Sequence, residues 1–83
     1  MDTSLAIVIL NFNGKNHLGT YLPSVLAYSK ETPVFIADNA STDNSVSFIQ
    51  KQFPQVHLLQ QKRNFGFAGG YNVALEQIKG QFD

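Results

Sequence analysis

The alternation of strand-like and helix-like segments predicts an α/β fold built on a parallel sheet. Three runs rich in aliphatic residues, at positions 5–10, 34–37 and 56–61, are typical of strands. Each run is followed by apolar residues at helical spacing, which gives the order β-α-β-α-β-α. The connections from strand to helix are long and polar, whereas those from helix to strand are plain. This pattern favours right-handed crossovers, and we predict the strand order 3-2-1.

The first strand ends at the turn residues 11–14, and a helix follows. The apolar stripe of this helix consists of Leu18, Leu22, Val25 and Leu26. Pro23 lies inside the stripe. Because proline lacks an N–H and crowds the preceding turn, we expect a kink there or a fresh helix start near Thr20.

The second strand ends at Asp38, and the polar residues 39–45 lead into the second helix. The stripe of this helix is Val46, Ile49 and Phe53. Its candidate caps are Ser41, Thr42 and Asp43. Pro54 is expected to stop the helix before the third strand begins.

The third strand is followed by residues 62–70, which we expect to form a loop because they include three glycines. The third helical stripe is Tyr71, Ala74, Leu75 and Ile78. Gly80 is a suitable residue to end this helix, and residues 81–83 could open a fourth strand.

Composition excludes several classes of function. Six Lys and Arg balance six Asp and Glu, so bulk charge gives no case for binding nucleic acid or an anionic membrane. Cysteine is absent, which excludes disulfides, thiolate catalysis and cysteine-ligated metal sites. The longest aliphatic run, residues 5–10, is far shorter than a membrane span. We therefore expect a soluble, cytoplasmic protein.

Polar residues concentrate in the three connections that lead from strand to helix. In a parallel sheet these connections meet at the carboxyl edge of the strands, where ligands of open α/β sheets bind. The need for helix caps could also explain their polarity. Asp38 is the first candidate, because a carboxylate suits the N–H groups of a base or a ribose hydroxyl. It could instead bond N–H groups of its own turn. Asp43 is interpreted as a helix cap.

The glycine-containing segment after the third strand is a candidate phosphate site. Lys62 and Arg63 supply positive charge there, and glycines beside a helix N-terminus let an anion approach the backbone. The segment matches neither the dinucleotide motif G-x-G-x-x-G nor the phosphate-loop motif. His17 and His57 show no ligand spacing, and a structural or solvated role is expected for both.

Three segments together carry a specific resemblance. They are residues 7–14 (IVILNFNG), residues 37–43 (ADNASTD) and residues 64–72 (NFGFAGGYN). In this order and spacing they resemble family 2 glycosyltransferases of the GT-A fold, and are most similar to the rhamnosyltransferase-like branch. The resemblance covers essentially the whole chain. It implies an inverting enzyme that transfers a sugar from a nucleotide-sugar to an acceptor hydroxyl, and half of a Rossmann-like domain.

The resemblance also implies where the nucleotide-sugar binds. The residues implied to contact or flank it are Asn11, Phe12, Asn13, Asp38, Asn39, Asn64, Gly66, Gly69, Gly70 and Asn72. Phe12 could stack on a base. Asn39 stands where many relatives carry a second acidic residue, which fits the branch with Asp-Asn-Ala-Ser.

The D-x-D motif of the family, which helps to hold a divalent metal and the diphosphate, follows a further strand, and Asp83 precedes that position. We therefore interpret residues 1–83 as the N-terminal, nucleotide-sugar-binding half of a GT-A domain, with no catalytic residue and no metal ligand of its own. The resemblance implies Mg²⁺ or Mn²⁺ and a glycan or lipid-linked acceptor for a longer protein, in the cytoplasm or at the membrane periphery. The 83-residue chain alone is expected to be inactive.

Two alternative functions stay open. A non-catalytic nucleotide-binding or regulatory module could share these features. A receiver-like signalling domain fits less well, since residues 11–13 offer no acidic group.

The first strand lacks charge, proline and glycine, the devices that protect a sheet edge. If its edge is exposed, we expect a homodimer to form through it.

Overall fold

The structure, a computed structural model, describes residues 6–28 and 32–82, with side chains as far as residue 79. Six elements alternate along the chain: β1 (Ile7–Asn11), α1 (Lys15–Tyr28), β2 (Val34–Asp38), α2 (Ser45–Gln52), β3 (His57–Gln60) and α3 (Gly66–Phe82). The predicted order β-α-β-α-β-α is confirmed. Leu5, the predicted start of the first strand, and Asp83 lie outside the described residues.

The three strands form a parallel sheet with β2 in the centre. Ile7 of β1 pairs with Val34, and Phe35 of β2 pairs with His57. The order β1-β2-β3 confirms the predicted order, which is the same sheet named from its other edge. Because β2 has a strand on each side and a helical layer on each face, all five of its residues are buried. This arrangement is compatible with half of a Rossmann-like GT-A domain.

Successive residues of β2 point to opposite faces of the sheet and so contribute to two apolar clusters. On one face α1 and α2 pack against β2, and the buried members are Leu18, Leu22, Val34, Ile36, Ile49 and Val56. On the other face α3 packs alone, and the buried members are Phe35, Ala37, Leu59 and Ala74. The two clusters hold the strands in place, so that their carboxyl ends form one rigid edge.

Helix α1 runs unbroken from Lys15 to Tyr28 with Pro23 inside it. The predicted fresh start near Thr20 is therefore wrong. The Thr20 hydroxyl donates to the carbonyl of Asn16 one turn earlier, at 2.9 Å, which is the bond of a residue inside a helix. The predicted stripe is confirmed at Leu18 and Leu22, which are fully buried.

Helix α3 begins at Gly66 and continues to Phe82, so three predictions about this region are wrong. Residues 66–70 are helical and do not belong to a loop, Gly80 does not end the helix, and residues 81–82 do not open a strand. Leu75, predicted to lie in the buried stripe, is 53% exposed. The glycines lower the helix propensity of this segment, but hydrogen bonds from Asn39 and Gln61 fix the start of α3.

Within the described residues β1 pairs with β2 alone, which leaves its other edge unpaired. The Ile7 N–H donates to the Pro33 carbonyl, and the Asn11 carbonyl accepts from Asn39. Hydrogen-bonding groups alternate along a strand, so the N–H groups of Val8 and Leu10 point to the unpaired edge. Among the helices of the described segments, none combines the length and apolarity needed to cross a membrane.

Candidate functional site

The three connections from strand to helix converge at the carboxyl edge of the sheet, as predicted. Asn11, the last residue of β1, pairs with Asp38, the last of β2, and Asp38 pairs with Gln60 of β3. The loops 12–14, 39–44 and 61–65 therefore leave the sheet side by side. Most of the candidate residues lie on these loops or at the strand ends beneath them.

Asp38 is buried at the centre of this edge, with 2% of its surface exposed. Its Oδ1 accepts from Asn11 Nδ2 at 2.9 Å and from the Ser41 hydroxyl at 2.7 Å. Its Oδ2 accepts from the Ser41 N–H at 2.9 Å. A carboxylate has about four acceptor positions, so three are used within the chain and one on Oδ2 remains for a further donor. Asp38 thus forms the turn bond that was the alternative to ligand binding, and it keeps one acceptor position.

Asn13 joins the loop after β1 to the loop after β2. Its side-chain oxygen accepts from the N–H groups of Thr42, at 2.7 Å, and Asp43, at 3.1 Å. Its own N–H donates to the Ser41 hydroxyl at 2.9 Å. Asn13 reaches these groups in the left-handed region, with φ at 55°, which asparagine tolerates better than most residues. The two loops consequently form one hydrogen-bonded unit.

Asp43 anchors the start of α2. Its carboxylate accepts from the N–H and hydroxyl of Ser45 and, at 3.4 Å, from the N–H of Lys15. The predicted capping role is confirmed in this form, although Asn44 occupies the N-cap position and makes no side-chain capping bond. Loss of hydration acts to raise the pKa of Asp43, but the bonds from Ser45 and the nearby Lys15 outweigh it, so the pKa lies below its ordinary value of 3.8.

Asn39 ties the loop after β3 to the end of β2. Its Oδ1 accepts from the Phe65 N–H at 2.9 Å, and its Nδ2 donates to Asn64 Oδ1 at 2.9 Å and to the Gly66 carbonyl at 3.0 Å. Asn39 is 2% exposed, whereas its partners Asn64 and Gly66 are exposed, so these bonds are partly buried. We call this set of four residues, Asn39, Asn64, Phe65 and Gly66, the Asn39 anchor.

Two glycines in the first turns of α3 are required by the structure for reasons that do not involve a ligand. Gly66 has a φ of 78°, a conformation that side chains disfavour. At Gly70 a Cβ would come within 2.7 Å of a Leu10 methyl group and 3.0 Å of Asn39 Nδ2. The Gly70 carbonyl also accepts from Gln61 Nε2 at 2.9 Å, which binds α3 to the end of β3. Gly70 is therefore needed for the close approach of α3 to the sheet.

Two clefts open among these loops. The aromatic cleft, with a volume of about 300 Å³, is lined by Leu10, Phe12, Asn39, Asn64, Gly66 and Phe67. The polar cleft, of about 400 Å³, is lined by Asn13, Lys15, Asn16, His17, Asp43 and Asn44. In the aromatic cleft the rings of Phe12 and Phe67 are 49% and 76% exposed, so both are available to stack on a planar ligand.

The structure brings most of the predicted site residues together. Phe12, Asn39, Asn64 and Gly66 line the aromatic cleft, and Asn13 lines the polar cleft. Asn11 and Asp38 lie buried beneath the loops. Gly69, Gly70 and Asn72 lie in α3 and line neither of these two clefts.

Sequence reasoning missed three contributors to this edge. Ser41 was considered only as a cap, but its hydroxyl joins Asn11, Asn13 and Asp38. Phe67 was not among the residues implied to contact the nucleotide, yet it lines the aromatic cleft. His17, for which a structural or solvated role was expected, lines the polar cleft. Its place in the first turn of α1, which begins at the carboxyl edge, is the signal that could have located it. Across the described segments, no three side chains of His, Cys, Asp or Glu gather in a way that could hold a metal ion.

The polar loops and the aromatic cleft lie at the carboxyl edge of a parallel α/β sheet, which is the edge where ligands of such sheets bind. The chain belongs to glycosyl transferase family 2, whose family model matches residues 6–82. It is similar to two proteins of Mycobacterium tuberculosis, from strains CDC 1551 / Oshkosh and H37Rv, each named N-acetylglucosaminyl-diphospho-decaprenol L-rhamnosyltransferase. Each is 30% identical over 79 residues, which cover 94% of this chain and 26% of the relative. The chain thus spans about a quarter of the length of these relatives. No solved structure matches the chain significantly.

Proposed function

We propose that the aromatic cleft is the part of a donor subsite that holds the nucleoside of a nucleotide-sugar, within an inverting glycosyltransferase. The observation that carries this proposal is that the cleft gathers Phe12, Asn39 and Asn64 from three different loops. The resemblance implied a nucleotide-binding role for each of them. Family membership supports glycosyl transfer as the chemistry of a longer protein that contains this chain.

The chemistry of the cleft suits a nucleoside. Phe12 and Phe67 offer exposed rings for stacking, and Asn64 offers amide groups to a base edge. Asp38 lies buried beneath the loops, and its bonds to Asn11 and Ser41 support the cleft by holding the ends of the first two loops. The start of α3 at Gly66 presents N–H groups that favour the negative charge of a diphosphate. These groups bind and orient the donor, and none of them is assigned the transfer step.

The divalent metal and the acceptor remain proposals for a longer protein. Asp38 already accepts three hydrogen bonds, and no cluster of three metal-ligating side chains lies in the described segments, so these residues do not form a site for Mg²⁺ or Mn²⁺. The names of the relatives support a lipid-linked acceptor. The cytoplasmic setting rests on the absence of cysteine and stays a prediction.

A titration tests the proposed subsite. Uridine, thymidine and guanosine diphosphates are added in turn to the ¹⁵N-labelled chain, and amide shifts are followed by NMR. We expect weak, saturable binding, with Kd in the millimolar range, and shifts concentrated at Phe12, Asn64 and Phe67. Inorganic pyrophosphate, which has no base to stack, is the control. It can shift the Phe67 amide at the start of α3 but should leave the Phe12 and Asn64 amides in place. Saturable shifts confined to the polar cleft, or none with any nucleotide, would contradict the assignment.

A non-catalytic nucleotide-binding or regulatory module is the second candidate, because the same aromatic cleft would serve it and no residue of the cleft is assigned the transfer step. Both candidates predict no sugar transfer or donor hydrolysis by the 83-residue chain, with or without Mg²⁺ or Mn²⁺. Activity in a longer protein that contains the chain separates them. Asp38→Ala in that protein is expected to weaken donor binding by about 1–3 kcal/mol if it is an enzyme of the proposed kind.

We also propose that the chain forms a homodimer through the unpaired edge of β1. The N–H groups of Val8 and Leu10 that face this edge are a template for another strand. Val8→Pro removes one of them without removing a bond to β2. Light scattering at rising concentration should show dimers of the original chain and monomers of the variant. A monomer at all concentrations for both chains would remove the proposal.

A further inference from the structure

The orientation of the Asn39 amide is fixed by the main chain. The Phe65 N–H can only donate, so it must face the side-chain oxygen, at 2.9 Å. The Gly66 carbonyl can only accept, so it must face Nδ2, at 3.0 Å. Asn64 Oδ1 accepts from Nδ2 and also from the Gly66 N–H at 2.7 Å. The side chain at position 39 must therefore present an acceptor to the Phe65 N–H and two donor hydrogens to Asn64 and Gly66.

The Asn39 anchor sets where α3 begins. Gly66 is the first residue of α3 and has a left-handed backbone conformation. Its carbonyl accepts from Asn39, and its N–H donates to Asn64. One turn further along, Gly70 lies against the Asn39 side chain, with no room for a Cβ. Asn64, Gly66 and Phe67 form one wall of the aromatic cleft, while Asn39 lies at its inner end.

We propose that Asn39 is a positioning residue in this chain: its amide holds Asn64, Gly66 and Phe67 as the wall of the aromatic cleft and does not itself bind the ligand. Three of its bonding positions are used inside the chain and 2% of its surface is exposed, which leaves little for a nucleotide. The effect on nucleotide binding rests on the proposed function. The effect on the loop does not.

Asn39 and Asn64 should therefore respond differently to replacement by Asp. An ionised Asp at position 39 can still accept from Phe65, but it would direct an acceptor at the Asn64 oxygen and the Gly66 carbonyl. Repulsion between these oxygens would separate the loop from β2. An Asp at position 64 keeps its acceptor role toward Asn39 and Gly66, and its charge lies favourably at the start of α3.

The experiment measures amide hydrogen exchange and nucleotide affinity for Asn39→Asp, Asn64→Asp and the control Asn44→Asp. Asn44 is exposed and its side chain makes no capping bond, so it reports the same chemical change without the anchor. In Asn39→Asp we expect protection of the Phe65 and Gly66 amides to fall about tenfold, with β1 and α1 amides unchanged. Uridine diphosphate should bind about tenfold more weakly to this folded variant, whereas Asn64→Asp and Asn44→Asp should keep the protection of both amides.

Unchanged protection of Phe65 and Gly66 in Asn39→Asp would overturn the proposal, and so would loss of protection with unchanged nucleotide affinity. If the original chain binds no nucleotide, the proposed function fails, and the exchange comparison still decides whether Asn39 positions the loop. If Asn39→Asp does not fold, Asn64→Ala takes its place. It removes the acceptor of the Gly66 N–H and should lower protection at Gly66 while that of Phe65 remains. Equal protection of Gly66 in Asn64→Ala and the original chain would then overturn the proposal.

Discussion

The loops after β1 and β2 hold each other through several side-chain bonds, whereas the end of the loop after β3 is joined to β2 by one side chain. Asn13 alone makes hydrogen bonds to Ser41, Thr42 and Asp43 across the first two loops. The third loop is held at its start by the Gln61 N–H, which donates to the Asp38 carbonyl at 2.9 Å, but at its end by the Asn39 amide. The end of the third loop therefore has fewer bonds to replace a lost one than the first two loops have. The aromatic cleft takes a wall from the third loop, so its shape depends on the less redundant side.

The largest expected effect comes from Asp38, which lies beneath the first two loops. Asp38→Ala leaves Asn11 and both donors of Ser41 without their acceptor in a buried position. We expect the free energy of unfolding to fall by about 3 kcal/mol, measured by urea denaturation. Asp43→Ala, which removes an exposed carboxylate, is the matched control and should cost less. An equal loss for the two variants would show that burial of Asp38 does not matter.

Gly70→Ala is expected to have the next largest effect, because it disturbs the packing of α3 against β1 and the Asn39 side chain. The added methyl group would press on Leu10 and on Asn39 Nδ2, so we expect a loss of about 2 kcal/mol even after the gain in helix propensity. Gly69→Ala is the control, because the neighbour that its methyl group meets is Phe65 at 3.1 Å, just outside the helix. Denaturation midpoints compare the two. A Gly70→Ala chain as stable as Gly69→Ala would contradict the close approach of α3.

Substitution of Asn13 separates its hydrogen bonds from its backbone conformation. Asn13→Gly and Asn13→Ala both lose the bonds to Thr42 and Asp43. Only alanine adds the strain of a φ of 55°, so it should be about 1 kcal/mol less stable than the glycine variant. Thermal unfolding of the two variants measures the difference. Identical stability would mean that the loop relaxes out of the left-handed conformation.

The smallest expected effect is the pH dependence contributed by Asp43. Its pKa in the folded chain lies below the ordinary value of 3.8, so its ionised form stabilises the fold. This contribution is fully present above pH 3.8 and is lost as the pH falls through the lower folded pKa. Because the carboxylate is exposed, the change is small. Asp43→Asn should flatten the acid side of the stability curve measured by urea denaturation between pH 2 and pH 6 (about the range that spans both pKa values). Superimposable curves would exclude the effect.

Much of the fold could be predicted because its signals are local. The strands are short aliphatic runs, and the α1 and α2 stripes have the spacing of buried helix faces. The meeting of Asn11 and Asp38 followed from the rule that parallel strands end at one edge. The start of α3 could not be predicted, because Gly66, Gly69 and Gly70 disfavour a helix when taken alone. Their helical state depends on Asn39 and Gln61, whose contacts join separate segments of the chain.

The candidate site was predicted by residue type more reliably than by role. The resemblance pointed to Phe12, Asn39 and Asn64, and the structure places all three at one cleft. It could not show that the Asn39 amide is used inside the chain, since its partners lie 25 to 27 positions away along the sequence. The separation of 30 positions between Ser41 and Asn11 concealed Ser41 as the link between Asn11 and Asp38.

The parallel register also governs how the molecule can acquire its shape. Every strand pairing joins positions that a whole helix separates, so no hairpin can form first and recruit the rest. The central strand β2 gains its neighbours only after two long segments have closed, which makes the search for the first stable contacts slow. During synthesis β1 leaves the ribosome well before its partner, and its aliphatic face stays unprotected until then. The time between the synthesis of β1 and that of β2 thus limits how long the growing chain is open to aggregation.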